Sequence, residues 1–183
     1  LEGKILEHNG KHSEARVEYA RAVGVDPENL EARFLHGRLL AYAGLAKQAL
    51  GDLEFVTSKT DAYPRAYLNI GRAQLDLGKN DDALTAFAKA LSLDPSLLEA
   101  HYLSGRIQFE RNKLSAALSE LEAATAESAS SEPWYPEAML FLGRAQEKSG
   151  QTKAAKTSYQ KFLEVAPEDH NGRATVQRTL EKL

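Results

Sequence analysis

The sequence predicts an all-α protein built from repeated pairs of antiparallel helices, and three periodic features indicate it. A glycine followed by a basic residue recurs at steps of 34, 34, 34 and 38 residues, at Gly3, Gly37, Gly71, Gly105 and Gly143. Seven residues later stand Gly10, Gly44, Gly78, Asn112 and Gly150. An alanine is followed four residues on by a large apolar residue at Ala15 and Tyr19, Ala49 and Leu53, Ala83 and Phe87, Ala117 and Leu121, and Ala155 and Tyr159. Agreement of the three series in one register predicts tandem copies of one small unit.

Each unit is predicted to be two helices joined by a tight turn. In the unit 64–97, apolar residues recur at mostly helical spacing in the first half, at Tyr67, Ile70, Leu75 and Leu77. Gly78 should end the first helix, because glycine adopts the left-handed conformation without a steric penalty. Asn80 should cap the second helix. Pro95 should end it, because proline restricts the residue before it.

A 34-residue helix-turn-helix unit with glycine, alanine, a large apolar residue and a closing proline at these spacings resembles the tetratricopeptide repeat (TPR). The resemblance covers nearly the whole chain and implies a right-handed TPR superhelix, an α-solenoid of antiparallel helix pairs. We expect a single solenoid over 1–183, with a partial repeat 1–29, repeats 30–63, 64–97, 98–135 and 136–169, and a C-terminal capping helix 170–183. In the capping helix, Ala174, Val176 and Leu180 should face inward, and Arg173, Gln177 and Lys182 outward.

The sequence begins at Leu1 within what resembles the tail of a helix, so we expect a fragment of a longer TPR array. Its alanine- and arginine-rich repeats resemble those of bacterial TPR proteins, among them assembly factors of pili, secretion and motility machines. A targeting signal would then lie outside this stretch, and we expect a cytoplasmic or periplasmic location. An uncapped N-terminal edge would also allow self-association.

The basic residue after each repeat glycine is the first candidate for a functional role. In TPR proteins the first helix of each unit lines the concave face, and the resemblance implies that this residue points into that groove. The positions hold Lys4, Arg38, Arg72, Arg106 and Arg144. Two interpretations stay open besides a merely solvated face. The cations could form an internal charge lattice, with Asp76 and Glu110 one helical turn after Arg72 and Arg106. Alternatively, they could hold a partner's carboxylates or backbone carbonyls.

Further groove candidates are Phe34, Tyr42, Asn69, Tyr102 and Phe109, because aromatic residues beside arginines are enriched at interface hot spots. Phe34 and Tyr102 could instead pack between adjacent helices. The Lys/Asn/Arg set with which one TPR subclass clamps a partner's terminal carboxylate is interpreted as absent. The insertion around Trp134 and Tyr135 is a secondary candidate, either as a protruding contact or as a longer helix start that covers a seam.

Composition and motifs exclude several other classes of function. The formal net charge is −3, so no basic nucleic-acid surface is indicated. The chain contains no cysteine, no run of apolar residues long enough for a membrane span, and no nucleotide-binding or catalytic signature. His8 and His12 are separated by Gly10, so a metal site there is not expected. His36 and His101 are expected to pack between helices.

We therefore predict a non-enzymatic scaffold or adaptor without cofactors or metals. It would bind a partner helix or extended peptide along its concave face, with acidic or C-terminal groups near the arginines. The alternative is that this segment is the substrate-recruiting or oligomerisation arm of a larger enzyme or regulator.

Overall fold

The computed structural model describes residues 2–183, apart from the side chain of Glu127, and every regular element within them is helical. The α-helices are α1 (Glu2–His8), α2 (His12–Val25), α3 (Leu30–Tyr42), α4 (Ala46–Lys59), α5 (Pro64–Asp76), α6 (Asn80–Leu93), α7 (Leu98–Glu110), α8 (Leu114–Ala124), α9 (Tyr135–Lys148), α10 (Thr152–Val165) and α11 (Arg173–Leu180). A 3₁₀ turn covers Glu127–Ala129. The chain divides into two compact units, one ending at Pro95 and containing α1–α6, the other spanning Ser96–Leu183 and containing α7–α11.

Within each unit, every helix packs against the next one in sequence. In the first unit α3 also contacts α5, and in the second unit α7 also contacts α9. The first helices of neighbouring pairs therefore share a surface in each unit. We call these surfaces the α3–α5 face and the α7–α9 face.

The close approach of the two helices in a pair depends on the repeat glycine. A Cβ atom on Gly71 of α5 would lie 2.3 Å from Cε1 of Phe87 in α6, far inside van der Waals contact. Equivalent contacts join Gly3 to Tyr19, Gly37 to Leu53, Gly105 to Leu121 and Gly143 to Tyr159. The glycine and the large residue 16 positions later are thus two halves of one packing contact.

The turn between paired helices is built as the sequence predicts, with one correction. Gly78 has φ of +73° and its N–H donates to the Leu75 carbonyl at 2.9 Å, while the Lys79 N–H reaches the Gln74 carbonyl at 2.9 Å. This pair of bonds ends α5 in the left-handed glycine motif. The prediction that Asn80 caps α6 is wrong, because the turn is so short that Asn80 is already the first helical residue and its side chain makes no cap bond.

Each unit has its own apolar core. In the first unit the core contains Leu40, Leu53, Val56 and Ile70, and a smaller cluster joins Ala15, Tyr19 and Leu39. In the second unit it contains Met139, Leu140, Tyr159, Phe162 and Val176. Val176 brings α11 into this second core, as the sequence predicts.

The outward orientation predicted for Arg173 is wrong. Its Nη1 donates to the carbonyls of Leu163 and Ala166 at 2.7 and 2.8 Å. These carbonyls lie at the C-terminal end of α10, where the last turn of a helix has no intrahelical donors. Arg173 therefore ties α11 to α10, and Ala174, which was predicted to face inward, is exposed.

Histidine–carboxylate contacts join the helices within two pairs. Asp52 of α4 is nearly buried and accepts from Arg33 Nη1 at 2.7 Å, and its second oxygen lies 2.6 Å from His36 Nδ1. His101 Nδ1 lies 2.7 Å from a Glu120 carboxylate oxygen in the second unit. The prediction that His36 and His101 pack between helices is confirmed.

We expect Gly71→Ala to destabilise the protein, because its Cβ would overlap the Phe87 ring. Overpacking of this kind typically costs about 1–3 kcal/mol. The matched control is Gly51→Ala in α4, where a Cβ meets no atom within 4 Å. That change should stabilise by roughly 0.5–1 kcal/mol, since alanine favours the helix. Urea unfolding followed by circular dichroism measures both, and equal effects of the two substitutions would contradict the packing role of Gly71.

A second prediction concerns Tyr19, whose hydroxyl donates to Glu7 Oε2 at 3.1 Å. Burial, reinforced by this bond to Glu7, raises the pKa of Tyr19 to about 12. In the unfolded chain the tyrosine ionises near pH 10, so the stabilisation is complete below about pH 10 and is lost as the pH rises to about 12. At pH 7, Tyr19→Phe should cost about 1–2 kcal/mol. The difference between wild type and variant should shrink above pH 10, and a difference that stays constant from pH 8 to pH 11 would refute this account.

Candidate functional site

The α3–α5 face carries two of the repeat arginines beside aromatic rings. Arg38 follows Gly37, and Arg72 follows Gly71. Because one residue advances about 100° around a helix, each arginine turns away from the glycine contact. The Arg72 guanidinium carbon of α5 lies 4.5 Å from the centroid of the Tyr42 ring of α3, and 57% of Tyr42 is exposed. This face therefore presents an accessible aromatic ring with a cation stacked on it.

The first two basic positions are held by ion pairs between helices. Arg38 Nη2 donates to Glu7 Oε1 of α1, and its guanidinium carbon lies 6.0 Å from the Phe34 ring centroid. Lys4 of α1 pairs with Glu31 of α3 at 2.6 Å. At these two positions the cations form contacts within the first unit, of the kind that the charge-lattice interpretation expects.

The α7–α9 face differs, because two of its cations lie over aromatic rings and not against carboxylates. Phe109 of α7 and Phe141 of α9 meet edge to face, with centroids 5.6 Å apart. Arg144 lies 5.7 Å from the Phe141 centroid, and Lys148 lies 4.7 Å from the Phe109 centroid. We call these four residues the cation–aromatic cluster. Neither Arg144 nor Lys148 forms an ion pair with any side chain that the structure describes.

Arg106 on the same face is only loosely paired. Its Nε lies 3.9 Å from Glu110 Oε1, which is too far for a hydrogen bond. Its guanidinium carbon lies 5.9 Å from the Tyr102 ring centroid. The predicted contact one helical turn away therefore exists, but its geometry leaves the guanidinium without a close carboxylate among the described residues.

Three predicted site residues are buried. Asn69 is 2% exposed, and its Nδ2 donates to the Arg65 carbonyl one turn earlier at 2.7 Å. Tyr102 is 6% exposed and stacks on Trp134, with centroids 5.5 Å apart and planes at 6°. Tyr135 is 4% exposed. These three side chains offer almost no surface to a partner, and Trp134 covers α7 instead of protruding.

The remaining predicted residues are at least partly accessible, and two were missed. Phe34 is half-buried against Tyr63, with centroids 5.3 Å apart, while Phe109 is half-buried in the cation–aromatic cluster. The sequence analysis did not identify Phe141 and Lys148. Their spacing in the sequence could have identified them. Phe141 stands three residues before Arg144 and Lys148 stands four residues after it, which places all three on one helix face.

Among the described side chains, which do not include those of Leu1 and Glu127, no group of three or more histidine or acidic residues is placed to hold a metal ion. Among the described helices, none is both long enough and apolar enough to cross a bilayer.

Models of the tetratricopeptide repeat match residues 1–67, 68–133 and 136–169. The chain belongs to the tetratricopeptide repeat family. It is similar to human tetratricopeptide repeat protein 28, at 35% identity over 94 residues, which is 50% of this chain and 4% of that protein. It is also similar to a TPR and J domain-containing co-chaperone of Cryptococcus neoformans, at 28% identity over 71% of this chain and 26% of that protein. The chain thus spans only a small part of these relatives.

Solved structures show the same fold. The crystal structure of MamA matches with a TM-score of 0.71 at 21% identity, covering 99% of this chain and 97% of MamA. YrrB, described as a TPR protein with an unusual peptide-binding site, matches with a TM-score of 0.67 at 19% identity, covering 99% and 89% of the two chains. These likenesses establish the TPR solenoid class for this TPR protein.

The two kinds of arginine environment lead to a stability prediction. Arg38→Gln leaves the largely buried Glu7 carboxylate without its cation, so we expect the free energy of unfolding to fall by about 1–2 kcal/mol. Arg144→Gln removes only a cation–ring contact, so we expect the free energy of unfolding to fall by no more than roughly 0.5–1 kcal/mol. Chemical denaturation of the two variants in parallel measures this, and a loss for Arg144→Gln as large as that for Arg38→Gln would contradict the difference.

Proposed function

We propose that this TPR protein is a non-enzymatic interaction scaffold whose α7–α9 face binds an acidic segment of a partner protein. TPR proteins generally act by binding other proteins, and the family assignment carries that much to this chain. The observation that supports the finer proposal is the pair Arg144 and Lys148. Both are held over aromatic rings, and both lack an ion pair with the described residues.

A partner's carboxylate would stabilise the two neighbouring cations of this face. Arg144 and Lys148 stand four residues apart on α9, and like charges at that spacing destabilise a helix by about 0.2–0.5 kcal/mol. A carboxylate placed between them would remove this repulsion and gain charge-assisted hydrogen bonds, which are stronger than neutral ones. The rings below each cation would keep it in place while its N–H groups point to the partner.

Apolar contacts would complete the binding site. Phe109 and Phe141 are each partly exposed, so a residue beside the acidic one could pack on their edges. Aromatic residues and arginine are the types most enriched among energetically important interface residues. The preferred ligand is therefore an extended segment or helix that alternates acidic with apolar side chains.

The α3–α5 face is a second candidate surface of the same scaffold. Tyr42 is its most accessible aromatic residue, with Arg72 stacked on the ring. A partner could pack on the exposed part of this tyrosine. The peptide-binding site named for YrrB supports peptide recognition by this fold, and it is a property of YrrB itself.

We also propose a cellular setting, which rests on the alanine- and arginine-rich composition of the repeats. An assembly factor of a bacterial envelope, pilus, secretion or motility machine is the context that their composition favours. A substrate-recruiting or oligomerisation arm of a larger enzyme or regulator would use the same contact, and the similarity to part of a co-chaperone supports that alternative.

The test is selection of peptides from a random phage-displayed library, followed by affinity measurement with purified protein. We expect selected peptides to be enriched in aspartate, glutamate and apolar residues. The double variant Arg144→Glu/Lys148→Glu should weaken their binding about tenfold or more, since charge-assisted contacts become repulsive. Binding should also weaken as salt rises.

The matched control is Lys153→Glu/Lys156→Glu, which changes charge by the same amount on α10, away from the α7–α9 face. It should leave the affinity within about twofold, as expected for surface charges outside the interface. Peptides that bind both variants equally well, or that carry no acidic residues, would refute the proposal for this face.

A further inference from the structure

A pocket of about 450 Å³ lies in the first unit, between the α1–α2 turn and the end of α3. Its polar lining comes from His12, Ser13 and Arg16 of α2, Arg38 of α3 and Glu7 of α1. Tyr42 of α3 also lines it and exposes much of its ring. The pocket is separate from the cation–aromatic cluster, and it shares Arg38 and Tyr42 with the α3–α5 face, the second candidate surface of the proposed function.

The charges in this pocket do not cancel. Arg38 is paired with Glu7, which leaves Arg16 as a second guanidinium. Arg16 is half-buried, and it makes no hydrogen bond, ion pair or ring contact with any other residue of the described stretch. The formal charges of Arg16, Arg38 and Glu7 in this lining sum to +1. A half-buried guanidinium without a protein acceptor presents its planar set of N–H donors to an anion.

We propose that this pocket binds one aspartate or glutamate side chain of a partner protein, with Arg16 as the main hydrogen-bond donor. A single carboxylate neutralises the net charge of +1, whereas a dianionic phosphate would exceed it. The Ser13 hydroxyl and the His12 ring supply further polar contacts at the rim. An apolar residue next to the acidic one packs on the exposed Tyr42 ring.

A side chain is favoured over a terminal carboxylate by the surroundings of the pocket. Tyr42 and Ala43 line it, and both are exposed. An internal acidic residue has neighbours on both sides that can contact these two apolar groups. A chain terminus has a neighbour on one side only.

The experiment adds each of three pentapeptides in turn to the ¹⁵N-labelled full chain and follows the amide signals of the protein by NMR. The first is acetyl-Gly-Leu-Glu-Leu-Gly-amide, the second replaces its glutamate by glutamine, and the third is the glutamine peptide with a free terminal carboxylate. We expect saturable shifts of the amide signals of residues 12–16 and 38–43 with the glutamate peptide. The other two peptides should bind about tenfold more weakly, the factor expected for losing one charge-assisted hydrogen bond.

Substitutions test whether the glutamate peptide binds at this pocket. Arg16→Gln should weaken the glutamate peptide about tenfold, and it should fold normally because Arg16 makes no contact that the fold needs. Arg21→Gln, in the same helix but outside the pocket and paired with Glu18, is the matched control and should leave binding unchanged. Arg144→Glu/Lys148→Glu should leave the peptide-induced shifts of residues 12–16 and 38–43 unchanged while removing any shifts at residues 141–148, which separates this site from the α7–α9 face.

Several results would overturn the proposal. They are the absence of saturable shifts at residues 12–16, equal binding of the glutamine peptide, stronger binding of the free-terminus peptide, and unchanged affinity in Arg16→Gln. Shifts confined to residues 106–110 and 141–148 would refute this pocket while supporting the face on α7 and α9.

Discussion

The contact between the repeat glycine and the large side chain 16 residues later is the constraint on which this structure depends. At Gly71 there is no room for even one methyl group beside Phe87, and the other pairs are comparably close. This contact sets the distance and rotation of the two helices in each pair. The residue after the glycine is thereby turned to the surface shared by neighbouring first helices. The recurring Gly-Arg dipeptide is thus a packing element followed by a surface element.

The cation at this position has a different role in different pairs. Arg38 is neutralised by Glu7 of another helix pair, whereas Arg144 lies over the ring of Phe141, three residues earlier on its own helix. An ion pair satisfies the guanidinium, while a ring contact leaves its N–H groups to water or to a ligand. The repeat therefore supplies cations to the α3–α5 face in one unit and to the α7–α9 face in the other, and the neighbouring side chains decide which of them can bind a partner.

The sequence predicted the helices and the turn at Gly78, because these follow from local spacing. It could not predict that Asn69 and Tyr102 are buried, since that depends on residues packed against them from elsewhere in the fold. Tyr102 is covered by Trp134 only because the insertion before α9 folds back. The outward orientation predicted for Arg173 was wrong for the same reason. Its carbonyl partners belong to the end of the preceding helix.

The central claim is that Arg38 is ion-paired while Arg144 is held by an aromatic ring and available. Rotation of the guanidinium group about its Cζ–Nε bond, measured by ¹⁵N NMR for each arginine, tests this most directly. The account predicts hindered rotation for Arg38 and fast rotation for Arg144, with Arg144 becoming hindered when an acidic peptide binds. Hindered rotation of Arg144 in the free protein, equal to that of Arg38, would contradict it.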